Sequence, residues 1–364
     1  MKRWIGLFLV LALMLTGCAK AAPPENHATH MVVDHAGNEV EVPADVNRIA
    51  VCTILPLPSV LAVFFDSAEK IVAMAPGSYS AAENSLLGEL YPELLVAETA
   101  FLEGGSLNVE ELMKLSPDVV FYSAAEVEMG EQLRNAGFCA VAVSVNKWEY
   151  DSIETLNNWI SLLGEIFPEN DKRQLVADYS ESIYNLVQAR VAHLSEREDV
   201  FFLYKYSDTA IMTSGAKFFG QWWAEAIGAR NVGQEMTTDN SVTVNMEQVY
   251  EWNPSLIFIT NFTTAYPEDL YGNTIGNYDW SPVDAVKSER VYKMPLGMYR
   301  SYTPGVDTPM TLLWLAKTAY PEIFADIDII EETKKYYKEV FDIDLTDAQA
   351  EAVFAPPAKV GAGF

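Results

Sequence analysis

Two stretches of alternating apolar and polar positions recur along this chain. Residues 107–123 read LNVEELMKLSPDVVFYS and residues 244–260 read VNMEQVYEWNPSLIFIT, offset by 137 positions without a gap. Asn108, Glu110, Pro117 and Phe121 return as Asn245, Glu247, Pro254 and Phe258, and Leu112 and Val120 return as Val249 and Ile257. The pattern predicts one element used twice. Asn108 and Asn245 suit helix N-caps, whose side-chain oxygen accepts a free backbone N–H. Glu111 and Gln248, three residues on, are placed to complete a capping box, and Leu107/Leu112 and Val244/Val249 have the spacing of a hydrophobic staple. A short helix follows. Pro117 and Pro254 forbid its continuation, because proline lacks the N–H and clashes with the preceding turn. The apolar runs Val119-Val120-Phe121 and Leu256-Ile257-Phe258-Ile259 then predict strands covered on both faces.

Other elements fall around these two units. Val32-Val33 and Val40-Glu41-Val42 flank a His35-Ala36-Gly37-Asn38 turn, which predicts a small hairpin over 31–48. Buried strands are expected at 49–55, 70–74, 118–123 and 138–145, with helices such as 58–65 and 126–136 between them. This alternation implies α/β architecture with a mainly parallel sheet. From Pro168 to Glu198, apolar residues at helical spacing run without a Gly or Pro after position 168. At 1.5 Å per residue that predicts a helix of roughly 40 Å. It lies between the two repeated units and reads as a bridge between two lobes. The second lobe begins at Val200-Phe201-Phe202-Leu203-Tyr204, with a helix at 219–228, a strand at 290–294 and closing helices at 309–320 and 329–341. The expected organisation is an N-terminal α/β lobe at 31–167, a bridging helix at 168–198 and a C-terminal α/β lobe at 199–354. An Ala/Pro/Gly-rich tail at 355–364 is expected to be loose.

The front of the chain adds an address. Lys2 and Arg3 precede an apolar run from Trp4 to Leu15. That run is too short to span a bilayer comfortably and has the form of a secretory signal peptide over residues 1–17. Leu15-Thr16-Gly17-Cys18 resembles the bacterial lipobox, in which the cysteine becomes the lipidated first residue. Residues 18–30 are then the lipidated Cys18 and a flexible tether. No second span of 18 apolar residues follows, so the mature chain is expected outside the cytoplasm, held to a membrane by lipid alone.

Charge and cysteine narrow the classes. The formal charge is −27, and about −29 once Lys2 and Arg3 are removed, which argues against nucleic-acid binding and against broad attraction to anionic lipid. Half the residues are apolar, so the acidity belongs to a well-cored protein rather than a disordered one. Cys52 and Cys139 sit in apolar runs and read as buried free thiols, with one disulfide as the alternative. His27, His30, His35 and His193 are scattered, so a bare transition-metal site is not expected.

In doubly wound sheets, ligands meet the loops beyond the carboxyl ends of the strands. Here those loops are Thr53–Pro56, Gly77–Ser80, Tyr122–Ser123, Lys147–Trp148, Tyr204–Tyr206, Asn261–Phe262 and Tyr299–Tyr302. They place Tyr79, Tyr122, Trp148, Tyr204, Tyr206, Asn261 and Tyr299 as candidate ligand contacts. Aromatic rings there suit a conjugated ligand. Lys147, Lys205 and Arg300 supply scarce positive charge, and a guanidinium can grip an oxyanion or carboxylate with two N–H groups. Phe219, Trp222 and Trp223 have helical spacing and are expected to face core, while the Gly215–Gly220 stretch before them is placed to approach the ligand. No GxSxG, HExxH or P-loop pattern occurs, and no enzyme is expected.

The hairpin segment VVDHAGNEVEVPADVNRIAV, the lipobox, the bridging helix, the paired NxE…P units and SPVDAVKSERVYKMP together resemble the periplasmic binding proteins of iron-chelate and cobalamin ABC importers. The resemblance covers nearly the whole mature chain. It implies two α/β lobes joined by one long helix, a ligand in the cleft between them, little hinge closure, and delivery to a membrane permease. It implies that Glu110 and Glu247, one per lobe, dock onto the permease. It implies a monomer without a cofactor that captures an iron chelate of ferric-siderophore type. Haem, cobalamin, a nickel chelate or molybdate/tungstate remain open as ligands, and ligand sensing without transport remains open as a role.

Overall fold

The computed structural model describes residues 28–238 and 240–357. The signal peptide, Cys18 and most of the tether lie outside them. Two four-stranded parallel sheets form the frame. In the first, the spatial order is Ile71–Met74, Ile49–Val51, Val119–Ser123, Ala140–Val143. In the second it is Arg230–Asn231, Asp199–Leu203, Leu256–Ile259, Val291–Lys293. Counted in chain order, both sheets run second, first, third, fourth. The repeated unit therefore feeds the same interior strand in each lobe.

The unit itself forms as the sequence predicts, with one difference. Helices Val109–Lys114 and Met246–Trp252 are capped by Asn108 and Asn245, whose side-chain oxygens accept from the amides of Glu111 at 3.2 Å and Gln248 at 2.9 Å. The reciprocal half of the capping box is replaced by a contact one turn on. Glu111 takes the Lys114 ammonium, and Gln248 donates to Glu251. Each helix then stops at a residue with positive φ, Ser116 at 45° and Asn253 at 41°, directly before its proline. Those two positions are also 137 apart. A left-handed residue followed by proline turns the chain sharply into the strand.

Alternation along the strands shows where the core sits. Val119 and Phe121 face one apolar cluster while Val120 and Tyr122 face another. In the second lobe Leu256 and Phe258 face the first of those clusters, and Ile257 and Ile259 face a third. One face of each sheet thus contributes to a single core shared by both lobes, and the other face is covered within its own lobe. Strands buried on both faces explain the continuous apolar runs.

Three boundaries differ from expectation. The bridging helix spans Arg173–Val191, preceded by a separate 3₁₀ turn at Pro168–Asn170, and is shorter than the 168–198 stretch. Asp171 is extended there, and its carboxylate accepts from the Arg173 amide and guanidinium, which starts the helix anew. A helix at Ser152–Ile166, not anticipated from the pattern, packs beside it. A three-stranded antiparallel sheet of Lys205–Tyr206, Ile211–Ser214 and Ser241–Val244 is likewise added to the second lobe. A further helix after the two expected closing ones does not stay with the second lobe. Helix Asp347–Val353 packs on Leu86–Leu90 of the first, where Gln349 donates to Glu89. Pro356 is buried and its carbonyl accepts from the Tyr266 hydroxyl, so the start of the tail is fixed rather than loose. Likewise Thr29 and His30, assigned to the tether, already belong to strand Thr29–Val33.

The hairpin Thr29–Val33/Glu39–Pro43 is locked by its turn. Buried Asp34 accepts from the amides of Ala36, Asn38 and Ala142. His35 accepts at Nδ1 from the Ser144 amide and lies edge-on to Trp148. Burial first, and the Lys147 charge second, push the His35 imidazolium down to about 4. An unfolded histidine titrates near 6.5, so between 6.5 and 4 the unfolded chain binds the extra proton. Stability from this group is complete above pH 6.5 and drains away as pH falls toward 4. The expected loss, after allowing for partial solvent contact, is about 2 kcal/mol. Denaturant midpoints measured across that range should fall less steeply in His35→Gln than in the wild type; parallel curves would refute the assignment. Cys52 and Cys139 are both free thiols, with Cys52 buried.

Candidate functional site

The carboxyl ends of the two sheets face each other across a cavity of about 270 Å³. The first lobe supplies Thr53–Pro56 beyond strand Ile49–Val51, Ser123 at the end of the next, and Val145. The second supplies Tyr204 and Lys205 beyond Asp199–Leu203, Phe262 beyond Leu256–Ile259, and Tyr299 and Thr303 beyond Val291–Lys293. Phe218, Phe219 and Asn240 complete the wall. The Thr53 hydroxyl accepts from the Ser123 amide at 3.0 Å, which joins two adjacent strand ends into one floor.

The aromatic wall is preassembled. The Tyr204 ring meets Phe218 and Phe262 at 5.2 Å and Tyr302 at 5.5 Å. Tyr302 lies behind them, its hydroxyl accepting from the Gly220 amide and its carbonyl accepting from Trp223 Nε1. These bonds tie helix Phe219–Ala226 to the 299–303 loop. Burial raises the phenol of Tyr204 to about 12 and also raises that of Tyr299, so both remain neutral hydroxyls at physiological pH.

Arg300 stands directly behind this wall and is wholly buried. Its Nε donates to the Asn261 carbonyl at 3.0 Å, and its Nη1 donates to the Gly77 carbonyl at 3.2 Å and to the Tyr299 hydroxyl at 3.3 Å. Its guanidinium carbon is 5.3 Å from the centre of the Phe262 ring and 5.5 Å from that of Tyr299. Gly77 belongs to the first lobe, so one cation pins the two lobes together beside the cavity. Asp307 holds the loop in place. Its Oδ2 accepts from the amides of Met298 at 2.8 Å and Tyr299 at 3.4 Å, while Oδ1 accepts from the Tyr337 hydroxyl at 2.5 Å. A Cβ at Gly297 would collide with that carboxylate, which is why glycine precedes the loop.

A second buried cation braces the neighbouring loop. Lys293 Nζ donates to the carbonyls of Thr260, Thr263 and Ala265 at 2.9, 2.7 and 2.9 Å. Burial pushes its ammonium down to about 7, while three carbonyl acceptors require three N–H donors and oppose deprotonation. Asn261 donates to the carbonyls of Met294 and Pro295, joining the same two loops.

Several expected contacts lie elsewhere. Tyr122 points into the core behind its sheet, where its hydroxyl accepts from Arg134 at 2.8 Å. Tyr206 is core too, donating to the Ile275 carbonyl and accepting from Trp280 Nε1. Lys147 is exposed and donates to the His35 carbonyl, and Trp148 packs against His35; both serve the hairpin. Tyr79 is half-buried on helix Pro76–Glu83, so the expected 77–80 loop is helical. The structure gathers Tyr204, Lys205 and Tyr299 at the cavity, with Arg300 and Asn261 in the layer behind. It adds Phe218 and Phe219, whose signal was their place at a helix start after a glycine-bounded loop. Glu110 and Glu247 are exposed in the first turns of their helices. Among the described residues, no group of three or more His, Cys, Asp or Glu side chains could hold a metal ion.

A larger polar depression of about 620 Å³ lies along the edge strand Arg230–Asn231, lined by Glu196, Arg197, Glu225 and Arg230 among others. It lies outside the region between the lobes. Its Arg230 is already paired with Asp199, so the cleft remains the candidate site.

Residues 68–296 match the family model described as periplasmic binding protein. The chain belongs to that family. A curated relative, the molybdate-binding protein MolA of Haemophilus influenzae, is 26% identical over 357 residues, covering 92% of this chain and 95% of its own. The crystal structure of a periplasmic solute binding protein from Veillonella parvula is 27% identical, with a TM-score of 0.80 over 90% of this chain and 97% of that one. CeuE of Helicobacter pylori, solved as a nickel–histidine complex, shares the fold at 22% identity, with a TM-score of 0.70 over 90% of this chain and 99% of that one. This periplasmic binding protein is the solute-binding component of an ABC importer, not an enzyme, and works outside the cytoplasm.

Proposed function

We propose that this protein captures a compact, metal-bearing anion, of the molybdate or tungstate type, and delivers it to its permease. One observation carries the reading. The chain holds 51 acidic residues against 24 Lys and Arg, yet no carboxylate is among the described residues lining the cavity. The polar residues that line it are instead Lys205, Thr53, Ser123, Tyr204, Asn240, Tyr299 and Thr303, backed by the Arg300 cation. Local positive charge governs a ligand at contact distance, whereas the distant negative surface is screened over about 8–10 Å. The volume agrees. Sites that enclose drug-sized ligands run to about 300–1,000 Å³, and this cavity is smaller.

A second reading keeps an iron chelate of the ferric-siderophore class. The rings of Tyr204, Phe218, Phe219, Phe262 and Tyr299 favour it, since they offer apolar surface to a conjugated ligand. It requires the loops to part further. Titration calorimetry of the protein lacking residues 1–18 separates the readings. Molybdate or tungstate should bind at micromolar or tighter concentrations, and nickel–histidine, ferric siderophores and haem should not compete. Tight binding of a siderophore without any response to oxyanion would reverse the order. Lipid anchoring through Cys18 is part of the same proposal. The wild type should sediment with membranes and Cys18→Ala should not; retention of Cys18→Ala would remove the anchor. Glu110 and Glu247 serve as the permease-docking carboxylates, one on each lobe.

A further inference from the structure

The repeat that places Glu110 and Glu247 also places something beside them. Among the described residues, the large apolar side chains left exposed include Met113, with 47% of its surface in water, and Tyr250, with 38%. These two are 137 positions apart, the offset of the repeat. Each lies three residues after its glutamate, so acid and apolar group are neighbours on one face of a short helix. The preceding residues, Leu112 and Val249, are fully buried and fix which side of each helix faces the protein. Single exposed apolar residues are ordinary on protein surfaces. Two at equivalent places in two lobes, each beside an exposed carboxylate, form a repeated pattern. Tyr250 is also held in its pose, with its hydroxyl donating to the Asp279 carbonyl at 2.5 Å.

We infer that Met113 and Tyr250 are the apolar halves of two matched docking points, each pairing a carboxylate with an apolar side chain. The occupant is the extracytoplasmic face of the permease. Charge complementarity asks for a cation opposite each glutamate, and the exposed side chain asks for an apolar socket next to it. Because the pattern occurs twice, the partner must present that pair twice, as a dimer does. The glutamates supply attraction that steers the encounter, and the apolar pair slows dissociation.

The inference rests on docking through Glu110 and Glu247, and the test separates the two. Binding of the full chain to its permease in nanodiscs is measured at several salt concentrations for Met113→Gln/Tyr250→Gln and for Glu110→Gln/Glu247→Gln. Solute affinity and melting temperature are measured alongside. The Met113→Gln/Tyr250→Gln protein should bind the permease about tenfold more weakly with its salt dependence intact. The Glu110→Gln/Glu247→Gln protein should weaken and lose most of its salt dependence. Tyr250→Phe, which keeps the ring and loses the bond to Asp279, should bind within about twofold of wild type. Wild-type binding by Met113→Gln/Tyr250→Gln, with weakened binding by the glutamate variant, overturns this inference and leaves the glutamates as the docking groups. Wild-type binding by both overturns docking through these helices altogether. A loss explained by lower solute affinity or by unfolding also overturns it.

Discussion

Arg300→Ala should bind the solute about a hundredfold more weakly, because truncating a buried, hydrogen-bonded charge typically costs about 2–5 kcal/mol. Two effects combine. The cavity loses the cation behind Tyr299 and Phe262, and the carbonyls of Asn261 and Gly77 lose a donor in a buried setting. The second effect reaches beyond the ligand. Gly77 lies in the first lobe and Asn261 in the second, so the substitution also loosens the join between lobes and lowers the melting temperature. The bond to Gly77 makes both losses expected. Arg300→Lys keeps the charge and loses the planar fork, and should recover part of the affinity. Calorimetric titration with thermal melting checks all three proteins. An Arg300→Ala protein that is folded and binds normally would remove Arg300 from the site.

Asp307→Ala should be the most destabilising single change near the cavity, at about 3–5 kcal/mol. The carboxylate is buried and takes three donors, the amides of Met298 and Tyr299 and the Tyr337 hydroxyl. Removing it strands all three and leaves a void against Gly297. Tyr337→Phe removes one of the three donors and should cost about 1–2 kcal/mol. Both proteins should also bind solute more weakly, since Tyr299 and Arg300 ride on the loop that Asp307 holds. Denaturant midpoints and titrations at saturating protein stability, for example at low temperature, separate the two effects. Unchanged solute affinity in folded Asp307→Ala would mean the carboxylate supports the fold without positioning the loop.

The frame of this molecule was readable because it is written in local chemistry. Asparagine caps, proline breaks and continuous apolar runs define helix-then-strand units, and their recurrence at one offset marks two lobes. The strand-end rule picked loops whose Tyr204, Lys205, Phe262 and Tyr299 line the cavity. It failed where a strand end has two sides. Tyr122 and Tyr206 sit at predicted ends, but alternation along the strand turns their rings into the outer cores, and a period of two gives no sign of which face borders the cleft. Lys147 and Trp148 were drawn away by the hairpin, whose docking on strand Ala140–Val143 depends on a contact more than a hundred residues distant in sequence. The roles of Asp307 and Lys293 were hidden for another reason. Most of their partners are amides and carbonyls of nearby loops, and backbone groups carry no side-chain signature.

The face common to both sheets has a consequence for what counts as a unit of this protein. Each copy of the repeat builds a complete sheet, yet one side of that sheet belongs to a core to which both halves and the closing helices contribute. Severing the halves would expose on each the apolar surface that it buries against the other. Burial against one another makes the two similar bodies a single object, and either half expressed alone would present an apolar face to water.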